Sequence, residues 1–509
     1  MKKLSLLFIG VLSMSNLIAQ DITDAVRFSS DEIQGTARFR SMSGAFGALG
    51  GDMSAVSINP AGSAIFTRSH ASISLSNLNV NNDVSYLNRF SSSSDSNIDL
   101  NQGGAAFVFS NSNQNSSWKK FVLSIAYDKT SNYDNDWVAS GTNTNSIDSY
   151  FLSFTDNQEI PFGVLKLQPG EFVEEAYVNI GSNPNYGYGF QQAFLGYWSG
   201  IIDPVNLDDD TNDDNIDYNT NVSPGNFNQN YLYLSKGYNG KFSFNIAAQY
   251  EDNLYLGLNL NSHFINFEKY TGLRETNNNP VSVVNNILFE NSLATTGNGF
   301  SFQLGAILKV TKELRAGLTY DSPTWYTIKD ELIQNISSNN ADPDIIYVSD
   351  VLTIFPDYKL QTPGKLTGSL AYVFGEQGLI SFDYSRKDFG NTKFKPTSDP
   401  QFAAQNTIIN NSLKTANTYK FGGEYRYKKF SFRGGYRFEE SPYNDESFYG
   451  DLTGYSLGLG YSFGNTKLDL AFDQSDRTIN NQLYSTGLTE AARIDGKNSN
   501  VTLSLAFNL

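Results

Sequence analysis

The chain is built from short segments in which apolar and polar residues alternate, and the connections between them switch between short and long. In 430–438, Phe430, Phe432, Tyr436 and Phe438 fall on one face, while Ser431, Arg433 and Arg437 fall on the other. Successive side chains of a strand point to opposite faces, so this is the pattern of a half-buried strand. Eleven such segments lie near 241–250, 253–268, 298–309, 314–328, 364–374, 378–388, 415–427, 430–440, 451–463, 466–476 and 499–508. Three more, near 71–80, 103–110 and 121–128, bring the total to fourteen, an even number as single-chain bacterial barrels require.

The connections carry the stronger constraint. Those at 110–118, 251–252, 310–313, 374–378, 428–429 and 464–465 are short; those near 81–100, 129–240, 269–297, 329–363, 389–414, 441–450 and 477–498 are longer. They alternate without exception, which predicts a wall with one plain end and one elaborate end, and both termini at the plain, periplasmic end. A soluble β-sandwich accommodates the alternation of residues but gives no reason for the parity of the connections.

Composition agrees with a wall in lipid. Charged residues make up 17%, below the roughly 25% of a soluble domain, while aromatics reach 14%. Mean hydropathy is nevertheless negative, at −0.36, as expected of a barrel that is apolar outside and polar inside. Lipid cannot satisfy exposed backbone groups, so such a wall must close on itself. The net charge of −16 disfavours nucleic acid as a partner. Residues 1–20, with Lys2, Lys3 and an apolar run at 4–12, read as a secretory signal peptide. Zero cysteines exclude disulfides and Cys-based metal sites.

Phase assigns the faces. Phe242, Phe244, Ile246, Ala248 and Tyr250, and on the next strand Leu254, Leu256, Leu258 and Leu260, are expected to face lipid. Lys241, Ser243, Asn245, Gln249, Glu424, Arg426, Arg433, Arg437, Lys467, Asp469 and Asp473 are expected to face the lumen. Tyr425, Tyr427, Tyr461 and Phe463 sit where an interfacial girdle would be.

A lumen of this width is a channel or is plugged. Residues 21–69, ahead of the first strand, supply a compact candidate plug rich in Gly, Ala and Ser. Short helices are expected near 42–49 and 53–58. Gly50 and Gly51 can take positive φ and break the first. Asp52 can cap the second, and Asn59-Pro60 can end it.

Here the chain resembles the FadL/TodX/OmpP1 family of outer-membrane transporters of long-chain fatty acids and other hydrophobic compounds. The resemblance rests on Gly44-Ala45-Phe46-Gly47-Ala48, Asp52, Asn59-Pro60-Ala61-Gly62 beside the first strand, and the count of fourteen; Thr362-Pro363-Gly364-Lys365-Leu366 adds to it. It implies an all-β, 14-stranded antiparallel transmembrane barrel over 70–509 with an N-terminal hatch over 21–69. Gly44, Gly47, Gly50, Gly51, Asp52, Asn59, Pro60, Ala61 and Gly62 would belong to the hatch and its gating, with Asn59, Pro60 and Ala61 anchoring it at the wall. Passive uptake, hatch rearrangement and lateral exit into the membrane follow from the same resemblance.

The long region at 129–240 contains Phe194, Leu195, Tyr197, Trp198, Ile201 and Ile202, an apolar stretch in an Asn/Asp-rich setting. It can line a hydrophobic ligand entrance, form the core of a loop subdomain, or meet a partner. Asp208, Asp209, Asp210, Asp213 and Asp214 offer oxygen ligands for Ca²⁺ but lack the EF-hand spacing, and a solvated acidic loop is the plainer reading. His70 and His263 stand on separate strands, and no spacing selects a catalytic serine or carboxylate pair, so neither an enzyme nor a cofactor is expected. The expected partners are a hydrophobic small molecule, outer-membrane lipid and detergent-like amphiphiles, with the chain a monomer. A surface-interaction or secretion-associated barrel binding a protein through its loops, and a nonspecific polar porin, stand as the alternatives.

Overall fold

The computed structural model describes residues 8–11, 21–113, 115–183, 185–205, 212–341 and 351–509. Its wall is a closed antiparallel barrel of fourteen strands. They are β1 (His70–Tyr86), β2 (Arg89–Ser110), β3 (Trp118–Asn132, continued by Asn135–Asn143), β4 (Phe227–Tyr250), β5 (Leu254–Asn277), β6 (Asn286–Lys309) and β7 (Leu314–Asp321, continued by Trp325–Ser338). The circuit proceeds through β8 (Val351–Ile354, Tyr358–Gln361 and Lys365–Val373), β9 (Gly378–Asp388), β10 (Thr415–Tyr427), β11 (Phe430–Glu439), β12 (Leu452–Ser462), β13 (Thr466–Gln482) and β14 (Ala491–Asn508). β14 pairs with β1 from His70↔Asn508 to Ser85↔Arg493, which closes the sheet.

The alternation read from the sequence becomes two faces. Ile73, Leu75, Phe121, Leu123, Ile125, Phe242, Phe244 and Ile246 are exposed on the outside, while Ser72, Ser74, Ser124, Ser243 and Asn245 are buried inside. Glu424, Arg433, Arg437 and Asp469 are likewise buried. Tyr425, Tyr427 and Phe463 are exposed beside the short turns. Ala248 keeps the outward phase but is only 8% exposed, a small side chain between the larger outward Phe121 and Leu256 on the ladder.

Three expectations change at the elaborate end. The connection at 81–100 is not a loop: β1 and β2 continue to a two-residue turn at Leu87 and Asn88, both at positive φ. The connection at 269–297 likewise shrinks to 278–285 between two strands of 24 residues. The region 129–240 supplies the outer parts of β3 and β4, leaving an insert at 144–226 that folds as a helical cap. Above the lipid belt both faces of a strand are wet, so the apolar alternation lapses while the backbone ladder continues.

The cap contains α3 (Asp148–Gln158), α4 (Phe162–Leu165), α5 (Val173–Ser182) and α6 (Tyr188–Trp198), numbered after the two plug helices described below. Its core joins Phe151, Tyr177, Phe194 and Ile202 to Trp137 of β3, Tyr231 of β4, Leu273 of β5 and Phe289 of β6. It therefore sits inside the mouth of the barrel, between the rising strands.

Leu509 lies at the plain end, where its N–H donates to Ser69 O at 2.8 Å. Asp21 does not. The helix it caps packs against Phe267 of β5, Tyr326 of β7 and the helix Pro400–Ser412 of an outer connection, so the described plug begins toward the elaborate end. Strand parity fixes where β1 starts but not the path of the chain before it. Residues 1–20, read above as a signal peptide, lie outside the described residues apart from Phe8–Val11, a short strand parallel to Val351–Ile354.

Candidate functional site

The plug descends the lumen in four short pieces: α1 (Ile22–Ser29), α2 (Ala37–Arg40), and the 3₁₀ turns Ser54–Ser57 and Pro60–Ile65. Asp21 caps α1 by accepting from the backbone N–H groups of Thr23 and Asp24, and Thr36 caps α2 by accepting from Phe39 N–H. The expected helix at 42–49 is instead a run of tight turns. Ser43 at φ +50° and Gly44 at φ +72° are left-handed, which a continuing helix cannot include. Gly50 and Gly51, at +63° and +66°, turn the chain as anticipated. The second helix shortens to a 3₁₀ turn, and Asp52 accepts from Ser54 N–H at 3.0 Å and from the Thr36 hydroxyl at 2.8 Å.

Asn59 is the joint between plug and wall. Its Oδ1 accepts from Ala61 N–H at 3.1 Å, capping the turn that Pro60 opens; its Nδ2 donates to Gly47 O at 2.7 Å and to Ala306 O of β6 at 3.0 Å. Asn245 of β4 donates to Pro60 O at 2.9 Å. The wall is cut to fit. A Cβ on Gly257 would lie 2.2 Å from the Pro60 carbonyl carbon, and one on Gly305 would lie 2.1 Å from Asn59 Oδ1. Gly62 accepts at its carbonyl from Gly51 N–H and so ties the glycine turn to the 3₁₀ turn that Pro60 opens. Gly257→Val should therefore lift the Asn59-Pro60 joint off the wall. The overpacking costs about 1–3 kcal/mol and is expected to lower the temperature at which the barrel loses its compact mobility on gels.

Charge fastens α2. Arg40, 1% exposed, grips Asp473 of β13 with two bonds of 2.8 Å. Arg38 Nε lies 2.9 Å from Glu424 of β10, which also receives Arg433 Nε at 2.6 Å and Arg426 at 2.5 Å; Arg433 continues to Asp469 at 2.5 Å. Asp383 of β9 accepts from the backbone N–H groups of Phe46 and Gly47, each at 2.9 Å. Ser43 Oγ and Ser456 Oγ of β12 are 2.9 Å apart. The inward carboxylates were legible by phase, but their plug partners were missed. Two arginines in a segment of otherwise small residues were the available signal.

Phe194, Leu195, Ile201 and Ile202 are fully buried in the cap core, and Tyr197 and Trp198 are half-buried, with Trp198 Nε1 donating to Leu165 O at 2.9 Å. These six residues do not line an open entrance; apolar on nearly every side, α6 is enclosed between helices and wall. Asp208, Asp209 and Asp210 lie outside the described residues. Asp213 and Asp214 belong to a 3₁₀ turn, and Asp213 pairs with Lys166 at 2.6 Å. His70 bonds Asn508 and His263 bonds Ser301, both as wall residues.

One carboxylate holds the cap to the wall. Glu275, near the outer end of β5, accepts from Ser146, from Ile147 N–H at 3.1 Å and from Gln229 Nε2 at 2.8 Å. Burial dominates these bonds and the nearby Asp148 adds to it, raising the Glu275 carboxyl to about 7. Between about pH 4.5 and 7 the folded chain holds a proton that the unfolded chain has released, so cap stability falls as pH rises through that window. Glu275→Gln should flatten this slope, worth on the order of 2–3 kcal/mol, as read from proteolytic release of the 144–226 insert against pH.

Residues 216–509 match the family described as outer membrane protein transport protein (OMPP1/FadL/TodX). The chain belongs to this family. Among solved structures, it resembles a FadL homologue of Pseudomonas aeruginosa with a TM-score of 0.53 at 12% identity, covering 94% of this chain and 99% of that one. The toluene transporter TodX of P. putida gives a TM-score of 0.51 at 12% identity, with 94% and 99% covered. At such identity the likeness extends to the fold alone. No curated protein matches by sequence. Family membership makes the chain an outer-membrane barrel concerned with the transport of hydrophobic compounds.

Proposed function

We propose that the protein mediates passive uptake of hydrophobic small molecules, with long-chain fatty acids as the first substrate class to test, through rearrangement of the 21–69 hatch and lateral exit through the wall. The short-turn end faces the periplasm in this reading, and residues 1–20 are removed as a signal peptide.

The observation that carries it is a seam. The β2–β3 ladder ends at Gln102↔Asp128; above it, 89–101 pairs only with β1, and Asn135–Asn143 pairs only with β4. Side chains bridge the gap: Ser93 Oγ donates to Asp136 O at 2.6 Å, Asn97 to Asp134 at 2.8 Å, and Lys129 pairs with Asp99. Ile98 and Leu100 are exposed along this edge. The plug covers it from inside. Glu32 N–H donates to Thr130 O at 3.0 Å, Asn132 N–H donates to Glu32 at 3.1 Å, and Asn101 Nδ2 donates to Gly35 O at 2.7 Å. The lower end of the seam, where Leu100 stands beside the outward Leu75, reaches the lipid belt, so a wall that lacks ladder bonds where the plug lies behind it is suited to open toward lipid there when the plug moves.

The plug disfavours a nonspecific porin, and the buried core of the cap leaves its apolar residues unsuited to a surface partner. Uptake of a labelled long-chain fatty acid by cells lacking their own transporter should rise on expression of the protein. Equal uptake with and without the chain for the fatty acid and for toluene, the compound in the TodX name, would remove the reading.

A further inference from the structure

Three cations stand together on the outer surface of the wall near its elaborate end: Lys359 of β8, and Lys393 and Lys395 of a short strand, Lys393–Lys395, that pairs with it. Lys359 lies directly opposite Lys395, and Lys393 lies opposite Gln361. Tyr358, Leu360 and Phe394, which alternate with the lysines, are buried in the core around α1, so strand periodicity turns all three ammonium groups outward. Asn406 fixes the short strand, accepting from Phe394 N–H at 2.8 Å and donating to Phe394 O at 2.9 Å. Lys359 and Lys393 are exposed, and Lys395 is half-buried.

Like charges directly opposite on paired strands destabilise a sheet. The chain carries a net charge of −16, yet none of the three lysines makes an ion pair among the described residues. Nearby carboxylates are committed elsewhere. Glu331 pairs with Lys329 at 2.6 Å, Asp357 acts on the same Lys329, and Asp399 caps the helix Pro400–Ser412. Toward the plain end the surface turns apolar: Trp325, in register with Gln361, and Tyr320 and Leu366, which pair with each other, are exposed on the outside. The lysines therefore form a cationic rim on the upper edge of a lipid-facing surface.

We propose that Lys359, Lys393 and Lys395 bind the phosphorylated sugar head of an outer-leaflet glycolipid of the lipopolysaccharide kind, whose acyl chains lie against Trp325, Tyr320 and Leu366. The occupant follows from the two halves of the surface. A free anion satisfies the lysines but leaves the apolar residues uncovered, and a neutral lipid does the reverse. An amphiphile with phosphate at its head meets both, because lysines act on phosphate as point charges. Its binding offsets the repulsion between Lys359 and Lys395 and so fastens the Lys393–Lys395 strand. The inference rests on the orientation in the transport reading, with the elaborate end at the cell surface, and concerns the outside of the wall rather than the lumen.

The test is equilibrium binding of fluorescent lipid A, and of its dephosphorylated form, to the purified full-length protein in nonionic detergent. The wild type should prefer the phosphorylated lipid by about tenfold or more, and Lys359→Gln with Lys393→Gln and Lys395→Gln should abolish the preference. Lys312→Gln with Lys428→Gln and Lys429→Gln, the same loss of charge at the short turns, should keep it. A preference unchanged in the first variant, or lost equally in both, overturns the proposal. Displacement of the lipid by millimolar inorganic phosphate also overturns it, since the site would then be one for a free anion. Replacing the three lysines by arginine should retain binding, and compact mobility on gels before heating verifies that each variant is folded. Lys395→Gln alone, expected to weaken binding about fivefold, serves if the triple glutamine variant is not. Labelling of Thr397→Cys on intact cells by a membrane-impermeant maleimide tests the orientation separately. Its absence overturns the orientation, whereas labelling without lysine-dependent binding overturns this inference alone.

Discussion

A Ser43→Cys/Ser456→Cys pair, once oxidised, should abolish uptake, and reduction should restore it. The two hydroxyl oxygens are 2.9 Å apart, across the contact between the plug turn at 41–50 and β12, so the paired side chains already converge. The chain has no cysteine of its own, so an introduced pair has no competitor. A cross-link that biases the seated plug by about 2–4 kcal/mol depletes the unseated state by more than about tenfold. Labelled fatty-acid uptake, measured with and without reductant beside a gel that reports the bond, reads the effect directly. Full uptake by the cross-linked form would mean that transport does not require this part of the plug to leave the wall.

Glu424→Ala carries the second large effect. Glu424 is 1% exposed at its side chain and is the shared partner of Arg38, Arg426 and Arg433. Removing it leaves Arg38 without its carboxylate and Arg433 with Asp469 alone. Breaking a buried pair from one side costs about 3–5 kcal/mol, because the remaining charge stays desolvated. The loss falls on the contact between α2 and the wall, so the expected outcome is a plug that unseats: larger ion conductance in planar bilayers and faster proteolysis within 21–69. Glu424→Gln, which keeps an acceptor oxygen, should lie between. Wild-type conductance in Glu424→Ala would show that Arg40 and Asn59 hold the plug unaided.

The wall was legible in the sequence wherever lipid faces it. At 242–250 and 430–438 an apolar outside and a polar inside leave a period of two, and the short turns beside them supply the parity. The pattern failed above the belt. In Ser91-Ser92-Ser93-Ser94-Asp95-Ser96-Asn97 nothing alternates, yet Val84↔Ser91 through Asn77↔Ile98 is an unbroken ladder. Backbone bonds, which every residue can make, extend the strands where side chains give no sign. The stretch around Phe194 was left open among three readings for a related reason: apolarity requires burial but does not say whether ligand, partner or the chain's own helices provide it, and the cap core proved to be the last of these.

The plug motif was legible in part. Gly50, Gly51, Asp52 and Asn59-Pro60 have local roles in turning and capping, and these are written in residue type. Their distant partners are not. Asn59 with Ala306, Arg40 with Asp473 and Asp31 with Lys365 each join residues more than 200 positions apart, and no local rule pairs them.

The sequence by itself determined a closed barrel of fourteen strands with unlike ends, because lipid outside and water inside impose a period of two and strand direction imposes parity. Only the tertiary structure decided where the plug begins, which wall residues grip it, and where the wall lacks its ladder. Those features depend on which side chains meet across the lumen, and closure of the sheet brings them together regardless of their separation along the chain.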